Sequence, residues 1–176
     1  MRITISGPPG SGKTTASKLL AEKLKYPIIS GGEIFRSMAR EMGLDIIEFS
    51  KYAEKNHDVD RKIDEKIVEL AIKMDDVIVD SRLSGWLMVK NKLKAFKVFI
   101  DASPEVRARR LQKRDGGKFE DVYVSMLERE RSEKKRYREI YGIDFDDRSI
   151  YDLIIYSDNL DPEQIVNKIL EALGWK

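Results

Sequence analysis

The segment Gly7-Pro8-Pro9-Gly10-Ser11-Gly12-Lys13-Thr14-Thr15 restricts the possible folds of this chain more than any other. An apolar run, Ile3 to Ser6, leads into it, and Ala16, Leu19, Leu20 and Leu24 follow at helical spacing. Strand, glycine-rich turn and helix in that order match the phosphate-loop pattern Gly-x4-Gly-Lys-Thr in full. The chemistry explains the pattern. Glycines let successive backbone N–H groups turn inward onto phosphates, and the helix start adds its positive end. Lys13 places a point charge on the β- and γ-phosphates, and the Thr14 hydroxyl is a Mg²⁺ ligand. A glycine-rich turn holding no ligand would not require this order of elements. The loop implies a nucleotide; it does not say where the phosphate goes.

Four further apolar runs read as buried parallel strands: Ile28 to Ser30, Val77 to Asp80, Val98 to Asp101 and Leu153 to Tyr156. Val59, Ile63, Ile67, Leu70 and Met74 form a helical stripe, and Pro162 to Leu173 reads as a helix stopped by Gly174. Strands alternating with helices predict an α/β fold, a five-stranded parallel sheet between helical layers, with ligands at the carboxyl ends of the strands. Ser6, Ser30, Asp80 and Asp101 fall at such ends. The length, 176 residues, suits one domain. Without cysteine and with one histidine, His57, there is no disulfide framework and no Cys/His zinc site. With 33 basic and 31 acidic residues, the chain has no global pull toward nucleic acid or membrane. No signal-peptide pattern and no membrane-length apolar run occur, so a cytoplasmic protein is expected.

Asp80 ends the run Val77 to Asp80 and is the preferred second Mg²⁺ or acceptor-side carboxylate, because Ser81-Arg82 follow at once with an anion partner. Asp101 is the competing candidate; either aspartate also fits a cap or turn former. In Ser30-Gly31-Gly32-Glu33-Ile34-Phe35-Arg36 a strand ends, two glycines turn the chain, and Arg36 is placed to grip a phosphate bidentately, unless it is simply a solvated surface arginine. Between Glu105 and Arg138 there are twelve basic and seven acidic residues, a local net of +5. On a helix Arg107, Arg110 and Arg114 fall near one face, and Arg129, Glu133 and Arg136 share another. Such charge suits a transferring phosphoryl group; it also suits a salt-bridged surface helix or an RNA-docking face. The last lacks an interleaved aromatic platform. Gly116-Gly117 between these stretches are the expected hinge of a lid.

Taken together, these stretches resemble the cytidylate kinases in their short archaeal-type form, within the nucleoside monophosphate kinases. The resemblance rests on Gly7 to Thr15, Ser30 to Arg36, Val79 to Gly85, Phe99 to Arg110, Arg129 to Tyr137 and Leu153 to Ile169. It implies one P-loop kinase domain over residues 1–176, with an acceptor-binding region over about 31–72 and an arginine-rich lid over about 107–138. It implies MgATP on Gly7, Pro8, Pro9, Gly10, Ser11, Gly12, Lys13, Thr14 and Thr15, with Arg110 on the donor side and Thr14 and Asp80 at the Mg²⁺. Acceptor binding falls to Ser30, Arg36, Asp80, Arg82, Arg129 and Glu133, and catalysis to Lys13, Asp80, Arg82, Arg129 and Arg136. Ser30, Asp80 and Glu133 are the candidates for reading cytosine. The implied reaction converts ATP and CMP, or dCMP, to ADP and CDP or dCDP. Ser81 stands where the long bacterial form has glycine, and Leu83 where it has an acidic residue. Adenylate kinases carry Asp-Gly-aromatic-Pro-Arg after the third strand; here it is Asp80-Ser81-Arg82-Leu83-Ser84. Asn91-Lys92-Leu93-Lys94 lacks the carboxylate that would read guanine in a GTPase switch. A UMP acceptor, or an ATPase acting on RNA or protein assembly, stays open at this level. The expected partners are small molecules only, and the expected state is a monomer.

Overall fold

The computed structural model describes all of residues 1–176. In chain order the elements are β1 (Arg2–Ser6), α1 (Lys13–Leu24), β2 (Ile28–Ser30), α2 (Gly31–Glu41), α3 (Ile46–Lys55), α4 (Asp58–Ile72) and β3 (Val77–Asp80). There follow α5 (Ser84–Lys90), β4 (Phe96–Asp101), α6 (Pro104–Asp115), α7 (Phe119–Tyr141), β5 (Leu153–Tyr156) and α8 (Pro162–Ala172). The strands form one parallel sheet in the order β2-β3-β1-β4-β5. The expected three-layer α/β architecture is therefore present.

Alternation along each strand assigns the layers. Ile3, Ile5, Ile78, Val98 and Ile100 point to one face, where Leu20 and Leu24 of α1 and Ile165 and Ile169 of α8 cover them. Val77, Val79 and Phe99 point to the other, under Ile63 and Ile67 of α4, Leu87 of α5 and Tyr137 of α7. A strand buried on both sides has no polar side to spare, which is why these runs read as continuous apolar stretches. β4 starts two residues before the predicted run, because Phe96 and Lys97 pair with Ile3 and Thr4.

Local signals set several helix starts. The Ser30 hydroxyl accepts the Glu33 N–H at 3.2 Å and caps α2. Asp45 with Glu48, and Asp161 with Gln164, form capping boxes at α3 and α8. The stretch between Gly43 and Asp60 carries α3, an element the sequence pattern did not single out. Its apolar residues split between a buried pair, Phe49 and Ala53, and an exposed pair, Ile46 and Ile47, so its stripe is incomplete. α7 is long, 23 residues. Tyr137 near its end enters the core, Met126 in its first half is buried beside Arg107 of α6, and Arg129 and Glu133 between them line the cleft.

Candidate active site

One cleft of about 1200 Å³ opens at the carboxyl ends of β1, β2 and β3. Its size exceeds the few hundred to about 1000 Å³ that suit a single small ligand. Pro9, Gly10 and Gly12 through Thr15 line it, while Gly7, Pro8 and Ser11 are buried behind the loop.

The loop is held from behind. Gly10 has φ +76°, and a Cβ there would meet the Arg107 carbonyl oxygen at 2.6 Å, so a side chain is excluded on both counts. Arg107, only 3% exposed, donates from Nε to the Ala102 carbonyl at 3.0 Å and from Nη1 to the Pro9 carbonyl at 3.3 Å. Its Nη2 reaches Glu130 of α7 at 3.2 Å. Arg110 Nη1 donates to the Gly10 and Ser11 carbonyls at 3.3 and 3.1 Å, and the Ser157 hydroxyl donates to Ser11 at 2.7 Å. The loop carbonyls are thereby drawn outward, and the Gly10 and Gly12 N–H groups have no backbone acceptor. Such a row of free donors at a helix start is an anion cradle.

Lys13 Nζ lies 3.7 Å from Asp80 Oδ1. Burial, with Arg82 nearby, pushes the Lys13 ammonium down to about 8, even though Asp80 opposes the shift. Asp80 sits in the middle of the sheet crest, in register with Ile5 of β1 and Ser30 of β2. Its Oδ1 is buried and accepts no hydrogen bond. Thr14 lines the same cleft. An unsatisfied carboxylate oxygen and a hydroxyl beside a phosphate cradle fit a hydrated divalent cation. Asp101 is committed elsewhere: it accepts from the Ala102 N–H at 2.8 Å and from Arg148 at 2.5 Å, outside the cleft.

Across the cleft, Glu133 of α7 receives two arginines. Arg82 Nε reaches Oε2 at 3.0 Å and Arg129 Nε reaches Oε1 at 3.2 Å. Burial opposes ionisation of Glu133, but Arg82 and Arg129 outweigh it, and its carboxyl stays below the ordinary range. One turn further along α7, Arg136 turns to α4 instead. Its Nε donates to Asp60 Oδ2 at 2.8 Å and its Nη1 to the Ser132 hydroxyl at 2.7 Å. Asp64 accepts from the Tyr141 hydroxyl at 2.6 Å. Burial pushes the Asp64 carboxyl up to about 7 despite that bond, and the negative Asp60 adds to the shift.

The structure thus brings Lys13, Thr14, Asp80, Arg82, Arg129, Glu133, Arg136, Ser30, Arg36 and Arg110 to one cleft. Arg36 is 47% exposed at its rim and pairs with Glu33 at 2.5 Å. Arg107, Arg110 and Arg114 share a side of α6 but divide its tasks: Arg107 is a buried strut beneath the loop, Arg110 holds the loop from the cleft, and Arg114 lines the cleft more openly beside Asp115. Asp60, Asp64, Ser157 and Tyr141 were not singled out in the sequence. For the two aspartates the signal was present, as acidic residues four apart beside the apolar Val59, Ile63 and Ile67.

The profile of the cytidylate kinase-like family matches residues 2–159. The chain belongs to that family. Cytidylate kinases resemble it over nearly their whole length. The Archaeoglobus fulgidus enzyme is 49% identical over 176 residues, covering 100% of this chain and 96% of its own. The Methanocaldococcus jannaschii enzyme is 46% identical, covering 98% and 97%. Among solved structures, a shikimate kinase from Bacteroides thetaiotaomicron superposes with a TM-score of 0.67 at 18% identity, over 99% of this chain and 98% of that one. A gluconokinase from Sinorhizobium meliloti does so at 0.63 and 18%, over 98% and 91%. At that identity these two speak for the shared kinase fold alone. No helix of this family member is long and apolar enough to cross a membrane.

Proposed function

We propose that this protein transfers the γ-phosphoryl group of MgATP to CMP, and to dCMP, giving ADP and the diphosphate. One observation carries the reading. The anion cradle of Gly10 to Thr15 and the Arg82–Glu133–Arg129 cluster face each other across a single cleft large enough for two nucleotides. The full-length likeness to cytidylate kinases supplies the acceptor.

ATP lies with its phosphates on the loop, Lys13 at the β- and γ-oxygens, and Arg110 toward the donor. Thr14 and Asp80 are the residues that would hold Mg²⁺, which when bound neutralises charge on the β- and γ-phosphates. The acceptor phosphate lies near Arg82 and Arg129, with Arg36 closing on it from α2. That phosphate is already anionic and needs no strong base. The task of the side chains is to neutralise two approaching anions, align them and exclude water. In this reading α2 to α4 form the acceptor-binding region and α6 with α7 the lid. Gly116 and Gly117, at φ +81° and +93°, form the joint between α6 and α7. The protein works as a soluble cytoplasmic monomer on small molecules.

A coupled ADP-release assay tests this with MgATP and, separately, CMP, dCMP, UMP, AMP, GMP or no acceptor. Turnover led by CMP and dCMP is expected. ADP release indifferent to every acceptor would mean that the phosphate goes to water, and the reading would fail.

A further inference from the structure

What selects the base? Ser30, Asp80 and Glu133, the sequence candidates, each already serve another part of the site. The Ser30 hydroxyl caps α2, Asp80 faces Lys13, and both oxygens of Glu133 carry an arginine. Asp60 differs. It takes one charged partner, Arg136, on Oδ2, and its Oδ1 has none. Arg136 in turn is fixed by Ser132 and has no partner on Nη2. The Asp60 and Arg136 side chains are each 15% exposed, and both line the cleft. Side by side they present one open acceptor and one open donor.

The spacing also fits. Arg129, beside the phosphate end, and Arg136 are seven residues apart on one helix. At 1.5 Å rise per residue that is about 10 Å, comparable to the reach of a nucleoside monophosphate from its phosphate to the far edge of its base. Phe35, Ile63 and Ile67 supply apolar surface in the same cleft for the ring.

We infer that Asp60, oriented by Arg136, is the specificity-determining residue that selects a 4-aminopyrimidine over a 4-oxopyrimidine. Cytosine presents an N4 amine donor where uracil presents an O4 acceptor. Asp60 Oδ1 accepts from that amine, and Arg136 Nη2 donates to the neighbouring N3 or O2. Uracil would set O4 against a half-buried carboxylate and its N3–H against a guanidinium. A site of this kind rejects the wrong partner by leaving its own charges unpaired. The inference rests on the kinase reading for its substrate, but the binding half of its test does not.

The test has two readouts, each comparing parent, Asp60→Asn and Asp60→Ser: the ratio of kcat/KM for CMP to that for UMP, and calorimetric binding of CMP and UMP without ATP. Asparagine keeps an acceptor and adds a donor that suits O4. The ratio is expected to fall at least about 10-fold in Asp60→Asn, a change of about 1.4 kcal/mol, with KM for ATP unchanged. Asp60→Ser should lose CMP affinity without gaining UMP. Activity that drops equally for both acceptors, or a parent that binds CMP and UMP alike, overturns the role of Asp60. If no acceptor is phosphorylated, the kinase reading fails on its own. The binding comparison still decides Asp60, since equal CMP and UMP affinities in parent and variants would sink it.

Discussion

At the scale of single residues, Arg82 and Asp64 make contrasting predictions. Arg82 stands beside Lys13 and Glu133 in a nearly closed environment. Arg82→Ala removes a cation from the place where two anions must meet. Turnover should fall roughly 10³-fold, while ATP affinity by calorimetry stays near that of the parent. Near-parental turnover would remove Arg82 from the mechanism. Asp64 concerns stability. Its carboxyl is raised to about 7 in the folded chain from 3.8. A raised carboxyl contributes stability only while it is protonated, so stability is lost as pH climbs from about 4 through about 7 and then levels off. Asp64→Asn mimics the neutral acid and can still accept from Tyr141. Its Tm should match the parent near pH 4 and exceed it by a few degrees at pH 8. A difference that does not change with pH would contradict the shift.

At the scale of elements, α7 and the phosphate loop are joined through Arg107, whose guanidinium spans the Pro9 carbonyl and Glu130. Arg107→Met would leave Glu130, in a largely closed place, with only Lys134 at 3.8 Å for a partner. Breaking one side of a buried pair typically costs about 3 kcal/mol. Chemical denaturation should show that loss, and KM for ATP should rise because the loop has lost its support. Unchanged stability with unchanged KM would mean that the loop holds its shape without help. The same residue marks where sequence reading stops. The phosphate loop was legible because it is a local pattern of dihedral needs and charge, and the strand runs were legible because burial on both faces leaves them uniformly apolar. Arg107 was legible only as an arginine on a basic helix. Its direction depends on how α6 docks against residues nearly a hundred positions away. Asp60 was hidden for the same reason: its partner Arg136 is 76 positions distant. α3 was missed because two of its apolar residues face outward into the cleft.

At the scale of the whole molecule, the cleft carries Lys13, Arg82, Arg129 and Arg136 against Asp60, Asp80 and Glu133. With Arg36, Lys51, Arg110, Lys113 and Arg114 also in its lining against Glu54, Asp64, Asp115 and Glu128, the empty cleft has a small positive excess, and Lys13 bears the cost of burial. A lysine held at about 8 from 10.5 loses its proton early, so the empty protein gains stability between about pH 8 and 10.5, where the unfolded chain still binds that proton. Phosphates on the loop restore the charged form. MgATP binding near pH 8.5 should therefore take up a fraction of a proton, seen as a buffer-dependent calorimetric heat that shrinks toward pH 7. A heat independent of buffer at both values would contradict a depressed Lys13.

The pairing of Glu133 with Arg82 and Arg129 bears on how the reaction ends. In the proposed reaction an arriving phosphate meets two guanidiniums whose Nε atoms already hold Glu133, and it must share their charge with a carboxylate fixed to the same chain. Glu133 is then a tethered rival of the substrate, present at constant effective concentration and never diffusing away. On that reading it weakens the hold on acceptor and product alike, and it keeps its own grip on the arginines when the diphosphate loosens. Some affinity is given up, and in exchange the departing product leaves no naked positive surface to pull it back.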